Sequence, residues 1–374
     1  MDGRKVAAPV LAACLLAAVG AAALYSNREV RQGQSQQAAI EEEQRQRADL
    51  RGVIGSEKEA FFADDRVKRA LDQRGLTVAV EKAGSRAIAN SYDPKRFDFG
   101  FPSGAPAAAQ LKQAARANAV YTPFYTPIVV ASWRPIAEIL VANGIAQPMP
   151  GGQYTLDMKA LLALSAKGTR WRELKGSAAF ATGKGVLLAS TDVRSSNSAA
   201  MYLALASYLA NGEQVVQSNA DVERVLAQVA PLFSRQGFQE NSTAGPFEDY
   251  LALGMGKTPM LVAYESQLIE FWLKHPDKAR GDMVMLYPQP TLYSKHVVVP
   301  YTATGHRLGQ ALEADPTLRS LAHEYGYRTA GERKGPELWR QRGIEVPDVL
   351  VDVVEPPSNE WLERMVRGIE QRSP

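Results

Sequence analysis

The chain has one cysteine, Cys14, and four histidines among 374 residues. A lone cysteine closes no disulfide within the chain. His275, His296, His306 and His323 lie far apart and give none of the spacings that hold zinc. Net charge is also scarce: 43 Lys and Arg against 40 Asp and Glu leave +3, too little to argue for nucleic acid. No Gly-x-Ser-x-Gly elbow is present. Gly254-Met-Gly-Lys-Thr258 ends like a phosphate-binding P-loop, but Leu251 stands where that pattern needs glycine. No Gly- or Ser-rich linker and no internal repeat divides the body. Nothing in the sequence implies a cofactor or supports an enzyme. The composition is that of a globular protein, 45% hydrophobic and 22% charged, and the length suits two lobes better than one small core.

The longest apolar run lies at the start. Arg4 and Lys5 precede Val6 to Tyr25, which only Pro9 and Gly20 interrupt. Roughly twenty apolar residues can span a bilayer, and positive charge in front predicts a cytoplasmic N-terminus and a body outside. Residues 1–25 are expected to be a membrane anchor or a signal segment, with Ala21-Ala22-Ala23 as the small-residue cleavage site. Leu11-Ala12-Ala13-Cys14 resembles a lipobox, but the apolar run continues well past Cys14, which reads better as a small apolar residue of a membrane helix. Residues 26–49 are rich in Gln, Glu and Arg, have no apolar face, and are expected to form a polar stalk. The expected location is the cell membrane with the body extracytoplasmic; the alternative is a secreted or periplasmic protein after signal cleavage.

The body alternates strand and helix patterns, which predicts an α/β fold with a mainly parallel sheet. Strands are expected at 50–54, 76–80 and 97–101, with one helix over 57–74 and another over 107–117. Each of these strands ends in a serine-bearing turn, at Ser56, Ser85 and Ser103. In open parallel sheets ligands gather beyond the carboxyl ends of the strands. Residues 121–133 are extended and apolar, as befits a crossing between lobes, and 295–300 suit a second crossing. Further strands are expected at 259–263, 284–287 and 349–353. Helices are expected at 156–164, 222–233, 247–253, 267–273 and 359–369, with one long helix over 306–325.

The stretch 185–209 joins these pieces. Val186 to Ala189 reads as a buried strand, Ser190 to Ser198 as a hydroxyl-rich turn, and the residues from Ala199 as a helix. Any of Ser195, Ser196, Asn197 and Ser198 suits the helix cap. A helix start offers free N–H groups and a partial positive charge, so it suits a small anion. Arg86 and Arg194 are placed to add a charge-assisted pair. Asp192 and Glu265 are the carboxylates that would favour a protonated ligand, with bracing of the turn (Asp192) and solvent exposure (Glu265) as the alternatives. Tyr264 either donates across the cleft or packs as a strand end. Tyr121 and Tyr125 suggest ferric iron only weakly, since no His or Glu is convincingly placed beside them.

Gly185 to Tyr202, the segment Pro259-Met-Leu-Val-Ala-Tyr-Glu-Ser266 and the ending Leu321 to Tyr327 resemble type II periplasmic solute-binding proteins. The likeness is nearest to the molybdate, tungstate and sulfate binders of ABC transporters, and it covers roughly Leu50 to Tyr327. It implies two α/β lobes joined by two crossing strands and closing on a ligand. By that likeness residues 50–127 form the first part of lobe 1, 128–294 lobe 2, and 295–374 the return to lobe 1 with a C-terminal extension. Carried over by position, Ser56 and Ser85 would hold an oxyanion from the first lobe, and Asn197 or Ser198 with Tyr264 from the second. The full set of candidate contacts is Ser56, Ser85, Arg86, Ser103, Arg194, Ser196, Asn197, Ser198 and Tyr264. The implied partners are a small anionic ligand, an ABC permease or another membrane protein, and the membrane through the N-terminal segment. The rival function is a membrane-tethered sensor or interaction domain with the same fold and a degenerate cleft.

Overall fold

The computed structural model describes residues 47–372, apart from Ser91, Phe238, Ser242, Glu332 and Arg333. The expected anchor and nearly all of the expected stalk lie outside these residues. Ala48 and Asp49, assigned to the stalk by sequence, already belong to the first strand. Among the described residues no helix is long and apolar enough to cross a membrane.

The chain opens with β1 (Ala48–Ile54), followed by a 3-10 turn (Ser56–Lys58), α1 (Glu59–Ala63) and α2 (Asp65–Asp72). The single helix expected over 57–74 is broken at Asp64. Its backbone is extended, and its carboxylate accepts from the Arg66 N–H as the cap of α2. Next come β2 (Leu76–Lys82), α3 (Ser85–Ala89), β3 (Phe99–Phe101) and α4 (Ala105–Ala115). β4 (Tyr121–Trp133) leads to α5 (Arg134–Ala142), β5 (Ala146–Pro148), β6 (Tyr154–Asp157) and α6 (Met158–Lys167). α7 (Asn197–Ala210), α8 (Asn219–Ser234), α9 (Ala244–Lys257), β7 (Met260–Tyr264) and α10 (Glu265–Lys274) follow. The chain closes with β8 (Met283–Gln289), β9 (Tyr293–Pro300), α11 (Ala303–Ala314), α12 (Pro316–Glu324), α13 (Lys334–Gln341) and α14 (Asn359–Glu370).

The strands run in the order β2-β1-β3-β9-β4-β8-β6-β5, with β7 also paired to β4. The sheet is mixed rather than mainly parallel. β1 pairs in parallel with β2 and β3, and β6 with β8, whereas β4 is antiparallel to β7, β8 and β9. The cause is the crossing itself. Residues 121–127 of β4 pair with β9, and residues 128–133 pair with β7 and β8. β9 in turn pairs with β3 through Val299 and Pro300. β4 therefore serves both halves of the molecule, as the sequence predicts, whereas β9, expected as a second crossing, pairs with β3 and the first part of β4.

Each half has its own core. Leu50, Phe61, Phe99, Leu308 and Leu318 pack together on one side of the crossing. Ile136, Leu161, Met201, Val225 and Leu286 pack on the other. The return through α11 and α12 rejoins the first core. Trp339 of α13 and Met365 of α14 are then buried against the second half.

Three further expected elements differ. In Val186 to Ala189 only Val186 and Leu188 are buried, and the segment forms no strand: Ala189 makes a single bridge to Leu261 before the chain turns away. Residues 349–353 make no strand either. Val349 and Val351 stand well out in solvent, and one bridge joins Val353 to Thr291. The long helix over 306–325 is two helices. Pro316 cannot continue α11, and Asp315 accepts from the Leu318 N–H to start α12.

Candidate functional site

The end of β1, the β2–α3 turn, the β3–α4 turn, the start of α7 and the end of β7 meet where the two halves face each other. Ser56, Ser85, Ser196, Asn197 and Tyr264 line one narrow hollow there, together with Glu57, Gly84, Asn241 and Thr243. The free space among them, ≈ 10 Å³, is at the lower limit for one water. Larger hollows lie elsewhere, one of ≈ 530 Å³ being bordered by Lys184, Ser190 and Glu240. The narrow one is singled out because strand ends from both lobes converge on it.

The halves touch through backbone as well as side chains. Asn197 Nδ2 donates to the Ser103 carbonyl at 2.6 Å, tying the start of α7 to the first lobe, and to Tyr264 OH at 2.9 Å. A Cβ on Gly104 would sit 2.1 Å from Asn197 Oδ1, and one on Gly84 2.5 Å from the Ser195 carbonyl oxygen. Only glycine permits this approach. The local reason for α7 is plain: Ser196 is its N-cap residue, with extended backbone. Its hydroxyl does not cap, however. It bonds the Ser198 hydroxyl at 3.1 Å, and Ser198 meets Thr191 at 2.9 Å. Ser198 therefore braces the turn from behind and is absent from the lining of the hollow.

Behind Ser56 lies a charged cluster that sequence reasoning missed. Lys58 is fully buried, and its Nζ donates to Glu57 Oε1 at 2.5 Å and Ser103 Oγ at 2.7 Å, with His296 Nδ1 at 3.1 Å. All three ammonium protons are thereby engaged. The Ser103 hydroxyl also contacts Glu57 Oε1 directly. Ser85 Oγ accepts from the Ser103 N–H at 2.9 Å, which ties the β2–α3 turn to the β3–α4 turn.

Burial alone would raise the Glu57 pKa, but the Lys58 ammonium beside it, with His296 and the Ser103 hydroxyl, holds it at about 2. Burial draws Lys58 down, opposed by Glu57. His296, wholly buried on β9, is held well below its ordinary value by burial and then by Lys58. At neutral pH the cluster is thus an ion pair beside a neutral imidazole. Burial, and then the Glu57 charge, raises the Tyr264 phenol, which stays protonated.

The two predicted arginines sit outside the hollow. Arg86 Nε donates to the Arg194 carbonyl at 2.9 Å, and its Nη2 pairs with Glu363 of α14 at 2.6 Å. Arg194 is largely exposed and pairs with Asp192, whose pKa burial would raise and Arg194 lowers. Asp192 thus braces its turn. Glu265 does not reach solvent: it is fully buried and held by Arg328 at 2.7 and 2.8 Å and by Tyr287 OH at 2.7 Å. Tyr121 meets His306 at 3.2 Å. Among the described residues no group of three His, Cys, Asp or Glu is placed to hold a metal.

Lys58 and Glu57 were hidden because Ser56-Glu57-Lys58-Glu59 has the look of a solvated helix start. The one available clue was position, directly after a strand end. Nothing local marks His296, which β9 carries in from 238 residues away.

No protein-family model and no curated protein matches the sequence. Solved structures do match in shape. Iron-bound HitA from Pseudomonas aeruginosa aligns with a TM-score of 0.55 at 11% identity, covering 87% of this chain and 99% of that one. An ABC transporter solute-binding protein from Thermotoga lettingae, bound with α-D-tagatose, aligns at 0.52 and 11%, covering 86% and 92%. The periplasmic binding protein AfuA from Actinobacillus pleuropneumoniae, with fructose 6-phosphate bound, aligns at 0.50 and 11%, covering 86% and 97%. At such identities the likeness is one of fold. The described body has the two-lobed α/β fold of the periplasmic solute-binding proteins.

Proposed function

We propose that this protein captures a small anionic solute, of the oxyanion class, between its two lobes outside the cytoplasm and passes it to a membrane permease. One observation carries the reading: hydroxyl and amide groups at Ser56 and Ser85 of one lobe, and at Ser196, Asn197 and Tyr264 of the other, border a single hollow. A closed cleft strips water from its guest, and donors fixed in advance must replace that water. Only the closed form brings both sets together, so a guest favours closure. The N-terminal apolar segment would hold the body at the membrane or direct its export.

The test is a thermal shift panel of molybdate, tungstate, sulfate, phosphate and small carboxylates. A true ligand at a hundredfold excess over its Kd stabilises the fold by about 2.7 kcal/mol. Ser85→Ala combined with Asn197→Ala should abolish the shift and leave the far-UV CD spectrum unchanged. Absence of a shift with every compound refutes solute capture of this kind.

A further inference from the structure

The hollow has an ionised carboxylate in its wall, paired through one oxygen with Lys58. Glu57 is one of its lining residues, and its carboxylate acts on the neighbouring Tyr264 phenol. Glu57 Oε1 is taken by Lys58 and Ser103. Oε2 accepts no side-chain hydrogen bond among the described residues, yet it is not sealed off as a buried orphan. It is an ionised acceptor oxygen with open lone pairs at the wall of the cleft. Among the described residues, the cations of the neighbouring turns are each paired with a carboxylate. Lys58 is saturated by Glu57, Ser103 and His296, Arg86 is engaged by Glu363, and Arg194 by Asp192.

A fully deprotonated oxyanion has only acceptors and would meet Glu57 as acceptor against acceptor and charge against charge. An anion that keeps one O–H or N–H can donate it to Oε2 while its other oxygens face the serine and Tyr264 hydroxyls. A buried carboxylate left without a donor is costly, so one proton decides between guests of equal size. Resting on the solute-capture reading above, we propose that Glu57 is the specificity-determining residue of the cleft. It restricts the solute to small anions that carry a hydrogen-bond donor, such as a hydrogen oxyanion or a hydroxy acid, and excludes fully deprotonated oxyanions.

Sulfate and hydrogen phosphate at pH 8 make a matched pair: both are tetrahedral dianions, differing by a proton. Titration calorimetry on the full chain is expected to show hydrogen phosphate or lactate binding at least tenfold tighter than sulfate. The phosphate arm marks an inorganic solute and the lactate arm an organic one; either supports the inference. Glu57→Gln removes the charge and supplies a donor, and it should bring the preference within about threefold. The wild-type ratio stands as a test even if that variant fails to fold. Sulfate or molybdate binding wild type as tightly as the donor-bearing anions overturns the inference and leaves solute capture intact. So does an unchanged preference in folded Glu57→Gln. If no probe binds either protein, solute capture fails and this inference falls with it.

Discussion

Replacing Lys58 by methionine keeps the length of the side chain and removes its charge. Glu57 would then be a buried carboxylate with no ammonium beside it. Its carboxyl is held at about 2 against an ordinary 4.5. That difference corresponds to about 3 kcal/mol of stability, in line with the roughly 3–5 kcal/mol typical of breaking a buried pair from one side. The sign follows from the depressed value: the contribution is fully present above pH 4.5 and is lost as pH falls through the folded-state value near 2. In Lys58→Met the Glu57 pKa rises above the ordinary value, because burial acts alone. The deficit should therefore be about 3 kcal/mol at pH 7 and should shrink toward pH 5 as Glu57 takes up a proton in the folded variant. Loss of Lys58 also frees His296 to protonate beside Glu57, which works in the same direction. Urea unfolding followed by far-UV CD at the two pH values measures both quantities. The double variant Lys58→Met with Glu57→Gln should recover more than half of the loss. A deficit under about 1 kcal/mol at pH 7, or one equal at both pH values, would refute the electrostatic account of the cluster.

Gly104→Ala should hold the lobes apart, since its Cβ would fall 2.1 Å from Asn197 Oδ1. Small-angle scattering would then give a larger radius of gyration than wild type, and an unchanged radius would count against the close contact. Arg328→Met leaves Glu265 buried and unpaired and should cost roughly 3–5 kcal/mol in urea unfolding; a loss below about 1 kcal/mol contradicts that geometry. Wild-type stability should fall as pH drops below 6.5, because the unfolded His296 binds a proton that the buried ring refuses. His296→Gln should flatten that slope between pH 6.5 and 5. Glu363→Gln removes the tie between α14, which packs on the second lobe, and Arg86 of the first. It should weaken ligand binding by a few fold, about 1 kcal/mol for one lost charge-assisted contact, as read by calorimetry.

Local pattern made much of the architecture legible. β4 could be read as a crossing strand because thirteen extended, mostly apolar residues have no amphipathic helix face. β9 and the strand–helix pair β7–α10 were legible for similar reasons. Where reading failed, a short-range signal met a competing one. The helical run over 306–325 keeps its apolar period on both sides of Asp315-Pro316, which masks the break that the proline itself signals. Val349, Val351 and Val353 alternate like a strand, yet in the structure these valines stay exposed and a single bridge at Val353 is all the pairing there is.

The candidate site divides along the same line. Ser56, Ser85, Ser196, Asn197 and Tyr264 were legible because each sits at a strand end or helix start, and such positions follow from the pattern of the nearby chain. Arg86 and Arg194 were reasonable by chemistry, but their partners Glu363 and Asp192 turn them aside, and Glu363 lies 277 residues beyond Arg86. By itself the sequence determined where strands end, where helices begin and which hydroxyls stand at those ends, because these depend on hydrogen bonds and side-chain periods within a few residues. Tertiary structure alone decided that Lys58 is buried and that it faces Glu57, Ser103 and His296. Charge in a protein takes its meaning from its neighbours and its distance from water, and both are fixed only when segments remote in sequence are packed together.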